Sequence, residues 1–388
     1  MSEIWKTAAE QLDQGRPLAL ATILAVRGSC PRDVGTRLLI DEAGKMAGTI
    51  GGGSFEARVR ELALSAIETR ISYRAVFSFC AGEMVCGGEG DVLVEYVDGN
   101  NVLYHEIIRC LADITQTKGS AYLVSEVPMP VGGSSSYRLN HSLMDRTGLR
   151  IGELPECLDL IESMRRRHAL KPAQLTQLAG WECPVLLEWI KPAGTVYMFG
   201  AGHVGVWVAR FASYLDFKVI VLDDRSEFAS SEKVPEADEI IVLDSYGGAL
   251  SDLPIDDDSY LVIVTRGHAY DKAVLEQALR TPARYIGMIG SRRKTAVVFQ
   301  TLLKEGFSEE DLRRVHSPIG LHIGGETPQE LAVAIIAEMI QTRSGIGRQL
   351  EQAAARQPDL GLASNVCPDV HIAIAAQDSD SVRKKAMR

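Results

Sequence analysis

Thr195-Val196-Tyr197-Met198-Phe199-Gly200-Ala201-Gly202-His203-Val204-Gly205 is the stretch whose reading decides the fold. A short apolar run reads as a strand, glycines break it, and the spacing over 204–215 reads as a helix. The same rhythm continues outward. Lys218–Asp223, 239–243, 260–264 and 285–289 read as further strands, with helices over 272–279, 293–305 and 330–343. Alternation of this kind predicts a parallel sheet covered by helices, a Rossmann-like domain over about 193–347. The last helix carries a start signal in Thr327-Pro328-Gln329-Glu330, a capping box with proline at the first helical position.

Before Lys191-Pro192-Ala193-Gly194 the texture differs. Strands are expected over 18–26, 37–40, 74–79, 92–97, 121–127 and 185–190. Helices are expected over 55–67, with Ser54 as its cap, over 103–117 and over 163–180, and a surface loop over 131–136. Residues 1–192 thus read as a mixed α+β domain, and 348–388 as a tail. The overall class is α/β, and no internal repeat is visible between the two halves.

The chain has 388 residues, 46% of them hydrophobic and 24% charged, with a formal net charge of -10. That balance argues against nucleic acid or an anionic membrane as partner. No apolar run approaches the ~20 residues needed to span a bilayer. Glu3, Lys6, Glu10 and Asp13 stand where a signal peptide would carry its apolar core. Seven scattered cysteines fit reduced thiols, so a cytoplasmic protein is expected.

Four constellations can carry chemistry. Gly200, Gly202 and Gly205, with His203 at the helix start, fit a phosphate-binding turn, and Asp223 ends the next strand where an acid commonly holds a ribose. The bland alternative is a tight turn without a nucleotide. Arg266, His268 and Asp271 follow the strand over 260–264, where ligands of open α/β sheets gather; His268 reads either as a proton carrier or ligand, or as a satisfied loop histidine. Gly290 and Ser291 precede Arg292, Arg293 and Lys294, cations at a helix N-terminus that oppose its dipole unless an anion intervenes, or else a solvated basic turn. Gly51-Gly52-Gly53-Ser54, with Glu56 close behind, is a second possible anion nest. Near it, Cys80 and Cys86 are spaced poorly for zinc; Cys86 reads as a thiol touching a sulfur- or metal-bearing ligand, or as an inert buried cysteine, and Cys30 is a weaker candidate.

These residues, in this order, resemble the XdhC/CoxI family, the xanthine dehydrogenase accessory factors. The resemblance rests on Arg27-Gly28-Ser29 with Pro31, Gly35, the segment 48–56 and Cys86-Gly87-Gly88. In the second block it rests on Phe199-Gly200-Ala201-Gly202-His203-Val204, Thr265-Arg266-Gly267-His268, the segment 285–294 and the segment 317–330. It implies a chaperone for the molybdenum cofactor (molybdopterin), homodimeric, with no turnover of its own. Such a protein shelters the cofactor while a cysteine desulfurase-type sulfurtransferase installs its sulfido ligand, then delivers it to an apo molybdenum hydroxylase of the xanthine dehydrogenase type. The glycine loops, Arg292 and Arg293 can hold the cofactor's phosphate or an attached nucleotide, and Cys86 its molybdenum or sulfur. Two rivals remain: an NAD(P)- or FAD-dependent oxidoreductase using Gly200 to Gly205 with Asp223, and a nucleotide-processing enzyme with a metal on Asp223 or Asp271.

Overall fold

A computed structural model describes residues 2–28, 32–78, 88–128, 139–145, 150–152, 161, 172–178 and 181–345. The chain divides into two compact units, Met1–Ala193 and Gly194–Arg388. The expected tail, the loop over 131–136 and most of the helix over 163–180 lie outside the described residues.

The first unit holds two five-stranded antiparallel sheets built to one plan. Helix α1 (Ser2–Asp13) leads into β1 (Leu18–Arg27), β2 (Arg37–Asp41) and β3 (Met46–Gly48); α2 (Gly53–Thr69), β4 (Tyr73–Ser78) and β5 (Glu89–Val97) follow, and the sheet order is β3-β2-β1-β5-β4. Helix α3 (Val102–Gln116) then leads into β6 (Ala121–Glu126), β7 (His141–Asp145) and β8 (Arg150–Gly152). After these come β9 (Ala173–Thr176) and β10 (Val185–Ile190), in the order β8-β7-β6-β10-β9. The repeat that the halves of the chain lack is therefore present inside this unit. It extends to register: Gly48 closes β3 opposite Leu38 and Gly152 closes β8 opposite Ser142, both with positive φ.

Alternation along the central strands explains their unbroken apolar runs. Leu18 and Leu20 of β1 enter a core shared with Trp5, Leu12, Ile107, Leu111 and Leu123, while Ala19, Ala21 and Ile23 face Phe55, Val59 and Ala63 of α2. Leu123 of β6 joins the shared core, and Tyr122 and Val124 turn to a separate cluster with Ile161.

Each repeat also lends the other a carboxylate. Arg37, first residue of β2, pairs through both terminal nitrogens with Glu188 of β10, and its guanidinium lies 4.9 Å over the Trp5 ring. His141, first residue of β7, bonds Glu95 of β5 at 2.7 Å and stacks on Tyr104 with ring centroids 3.9 Å apart. Glu95 faces Leu20 in register as Glu188 faces Leu123. All four ionisable side chains are buried.

In the second unit β11 (Thr195–Phe199), β12 (Lys218–Asp223), β13 (Glu239–Val242), β14 (Ser259–Ile263), β15 (Tyr285–Met288) and β16 (Val315–His316) form one parallel sheet in the order β13-β12-β11-β14-β15-β16. Counted within the unit this is 3-2-1-4-5-6, the Rossmann order, whose direction reverses between β11 and β14. Helices α4 (His203–Tyr214), α5 (His268–Ala278), α6 (Arg292–Lys304), α7 (Glu309–Arg313) and α8 (Pro328–Ser344) complete it, with α4 and α8 in mutual contact. The α/β class and the parallel-sheet domain are as the sequence predicts.

Helix α8 begins at the expected capping box, Thr327 accepting from the Glu330 N–H and Glu330 reaching back to the Thr327 N–H. Replacing Thr327 by alanine should destabilise the second unit by about 1 kcal/mol in chemical denaturation. An unchanged midpoint would show that packing of α8 alone sets its start.

Three local expectations are corrected. Helix α2 starts at Gly53 with Gly52 as its cap, and Ser54 lies inside it without capping. Residues 173–176, expected in a helix, pair with β10 as β9. Helix α5 starts four residues before the predicted 272, so His268 is helical and not in a loop.

Candidate functional site

The carboxyl ends of β11 and β14 flank the reversal of strand order, where open α/β sheets form their ligand crevice. Each glycine of the loop has its own reason to be there. Gly200 has φ +112°, and a Cβ would lie 2.4 Å from the Val264 carbonyl oxygen. Gly205 packs helix on strand so closely that a Cβ would lie 2.1 Å from the Gly200 oxygen. Before Gly202 nothing lies within 4 Å of the position a Cβ would take, and Gly202 caps α4 without any side-chain bond. The open face of the loop is therefore where the first-turn N–H groups of α4 begin, and these have no intrahelical acceptor.

Asp223 is fully buried and fully engaged. Its Oδ2 accepts from the Ala201 N–H and from Arg225 Nη2; its Oδ1 accepts from the Arg225 N–H and Nε. Burial alone would raise its pKa, but these hydrogen bonds outweigh it and hold the group below its ordinary 3.8. The bonded carboxylate therefore stabilises fully above about 3.8, and that contribution disappears as pH falls through the lower folded value. Acid unfolding of Asp223→Asn should accordingly be less steep below pH ~4 than that of the wild type, and identical acid limbs would show that Asp223 carries no such linkage. A ribose hydroxyl could reach this carboxylate only by displacing Arg225, whose guanidinium also lies 3.6 Å over the Phe228 ring.

The next residue, Asp224, which no spacing rule singles out, bonds the exposed Arg266 at 2.6 Å. Arg266 in turn lies 5.2 Å over the Tyr270 ring. His268 is the exposed first residue of α5, capped by Gly267 without a side-chain bond. Asp271 does not face the crevice mouth as expected. It is buried and accepts from the Thr265 N–H and hydroxyl and from Lys294 at 2.5 Å. Lys294 also donates to the Ile289 carbonyl, so of the three cations at the start of α6 one is held internally. Gly290 precedes Ser291, whose hydroxyl caps α6, and Arg292 and Arg293 are exposed beyond it.

In the first unit Gly51, Gly52 and Gly53 all have positive φ, a run only glycine adopts readily. The nest they make already holds an anion from the chain itself. Glu56 Oε2 accepts from the Thr49 hydroxyl and from the Ile50 and Gly52 N–H groups. Ser54 is exposed in the first turn of α2. Cys30, Cys80 and Cys86 lie outside the described residues. Among the described residues no cluster of three metal-ligating side chains occurs, and no helix is long and apolar enough to cross a membrane.

The XdhC Rossmann domain model matches residues 196–339, and the XdhC and CoxI family model matches residues 11–77. The chain is 27% identical to a probable xanthine dehydrogenase subunit of Bacillus subtilis (strain 168), over 86% of this chain and 96% of that one. It is 21% identical to the molybdenum cofactor insertion chaperone PaoD of Escherichia coli (strain K12), over 88% of each. It is also 25% identical to the uncharacterized protein YqeB of Escherichia coli (strain K12), over 88% of this chain but only 46% of that longer protein. A crystal structure described as a xanthine dehydrogenase from Bacillus halodurans shares the fold, with a TM-score of 0.67 at 24% identity over 88% of this chain and 96% of that one. Two models from one family, matched in order over more than half the residues, join with these relatives in one assignment: the chain belongs to the XdhC and CoxI family.

Proposed function

We propose that the chain is an accessory protein for the molybdenum cofactor. In this reading it binds the cofactor, supports its sulfuration by a cysteine desulfurase-type sulfurtransferase, and delivers it to an apo molybdenum hydroxylase of the xanthine dehydrogenase type. It works as a homodimer without turnover of its own. The observation that carries the reading is the pair of glycine-capped helix starts, α4 and α5, which follow the neighbouring strands β11 and β14 at the strand-order reversal with no side-chain cap on either. Likeness to a protein named as a molybdenum cofactor insertion chaperone supports it.

The residues fit a phosphate-bearing ligand. Backbone N–H groups at Gly202 and His203, with Arg292 and Arg293 at the start of α6, are donors suited to a phosphate. Gly200, Gly205 and Asp223 build the loop that presents them, Arg266 and His268 line the neighbouring strand end, and Gly290 and Ser291 shape the start of α6. When bound, the cofactor would supply the molybdenum centre and its sulfur chemistry, for which Cys86 is the proposed thiol contact. Gly51, Gly52, Gly53, Ser54 and Glu56 remain proposed contacts, with the condition that a ligand anion in that nest must replace the Glu56 carboxylate.

The strand order also favours a second reading, an oxidoreductase holding NAD(P) or FAD on the same loop; the engaged Asp223 speaks against it. The test is purification from cells that make the cofactor, with bound pterin read by fluorescence after oxidation. Wild-type protein should retain pterin, and the double variant Arg292→Ala, Arg293→Ala should retain roughly tenfold less, a loss of about 1.4 kcal/mol. A wild type free of pterin that binds NAD+ tightly would reverse the order of the two readings.

A further inference from the structure

Lys294 is the third residue of α6, a place where a positive charge opposes the helix dipole. Its side chain is nevertheless only 15% exposed. It folds back to donate to the Ile289 carbonyl at 3.0 Å and to Asp271 at 2.5 Å. Gly290 opens the path for it. The φ of Gly290 lies outside the left-handed region, so conformation does not demand glycine there. A Cβ, however, would stand 2.8 Å from Lys294 Cδ, and its three nearest atoms all belong to the lysine side chain.

Asp271 lies in the first turn of α5 and is buried. Its Oδ1 accepts from the Thr265 N–H and hydroxyl, and its Oδ2 takes the lysine. The same hydroxyl lies 3.1 Å from the carbonyl oxygen of Gly267, the cap of α5. An unbroken chain of contacts therefore runs from the first turn of α6, through Lys294, Asp271 and Thr265, to the glycine that opens α5. These two helices follow the neighbouring strands β14 and β15.

We propose that Lys294 is a positioning residue, whose ion pair with Asp271 fixes the starts of α5 and α6 relative to each other so that both serve one phosphate-bearing ligand. This rests on the binding site proposed above at the carboxyl end of the sheet. Lys294 does not itself meet the ligand, because Asp271 neutralises it. The phosphate is left to Arg292, Arg293 and the N–H groups of the helix starts. Such donors bind well only when held within about 0.5 Å of their working geometry, which the buried pair provides.

The test compares the full chain with its double variant Asp271→Asn, Lys294→Met. The asparagine oxygen still accepts from Thr265, and methionine still fills the space over Gly290, so only the tie between the helices is cut. Replacing a buried ion pair by neutral groups of similar volume is close to neutral for stability. Melting temperature, amide hydrogen exchange over 265–270, calorimetric binding of pyrophosphate and retained pterin are measured on both proteins. The expected result is an unchanged melting temperature, faster exchange over 265–270, and a loss of about tenfold in at least one probe that the wild type binds. A merely structural pair would not lose binding at constant melting temperature. Should the double variant fail to fold, Gly290→Ala crowds the lysine stem without removing either charge, and the same readings are expected.

Exchange equal to wild type overturns the proposal, as does faster exchange with both probes undiminished. Binding lost only with a large fall in melting temperature in both variants assigns the pair to stability and overturns it too, and so does a wild type that binds neither probe. Failure of the chaperone reading looks different. A pterin-free wild type whose pyrophosphate binding depends on the tie removes the chaperone and keeps Lys294, whereas pterin retained equally by both proteins, with pyrophosphate undiminished, removes Lys294 alone.

Discussion

Glu188→Ala should destabilise the first unit by about 3–5 kcal/mol, because it leaves the Arg37 guanidinium charged, buried and without its partner. Arg37 is buried, and Glu188 is the only carboxylate bonded to it among the described residues. Its remaining bonded acceptor is the Gly35 carbonyl at 3.3 Å. The pair itself contributes far less than its rupture costs, since two desolvated charges roughly offset their attraction. Arg37→Met combined with Glu188→Leu should therefore recover most of the loss. Chemical denaturation followed by Trp5, which packs beneath the guanidinium, reports both variants. A single-variant loss below about 1 kcal/mol would mean that water reaches Arg37 and that the pair behaves as a surface one.

Gly205→Ala and Gly202→Ser should separate architecture from binding. At Gly205 the new Cβ would stand 2.1 Å from a backbone oxygen, so α4 must shift from β11. Overpacking against main chain should destabilise by about 3 kcal/mol, against the ~1 kcal/mol that alanine usually gains over glycine inside a helix. At Gly202 the added side chain meets nothing. Serine is a favoured cap, so stability should hold or rise slightly. Its hydroxyl would then occupy the N–H groups left for a ligand anion, and pterin retention should fall roughly tenfold. A Gly202→Ser protein that retains pterin like the wild type would place the anion elsewhere, and a Gly205→Ala protein with wild-type stability would refute the packing role.

The second unit is legible because its strands are buried on both faces and punctuated by glycine; Thr195–Phe199 and Lys218–Asp223 are read from the sequence with their observed ends. The short strands of the first unit are not. His141–Asp145 contains a histidine and a serine yet is buried, since His141 finds Glu95 and Ser125 far along the chain. No local pattern announces such a partner. The duplication is hidden for a related reason: it survives in pairing and register, with Arg37 standing in one repeat where His141 stands in the other. At the candidate site, spacing from Gly202 points to Asp223, but spacing cannot tell which of two adjacent acids Arg225 will claim. Nor can it show that Lys294 turns inward to Asp271, or that Glu56 fills the glycine nest beside it.

The exchange of carboxylates between repeats also sets an order of events during synthesis. Arg37 waits for a partner 151 residues further on, and Glu95 for one 46 residues on. When the first sheet leaves the ribosome it has all its strands but not the counter-charge for Arg37, which arrives with β10, the last strand of the unit. The nascent first repeat therefore has reason to remain open around Arg37 until the second is nearly complete, and the two close together as one cooperative step of high contact order.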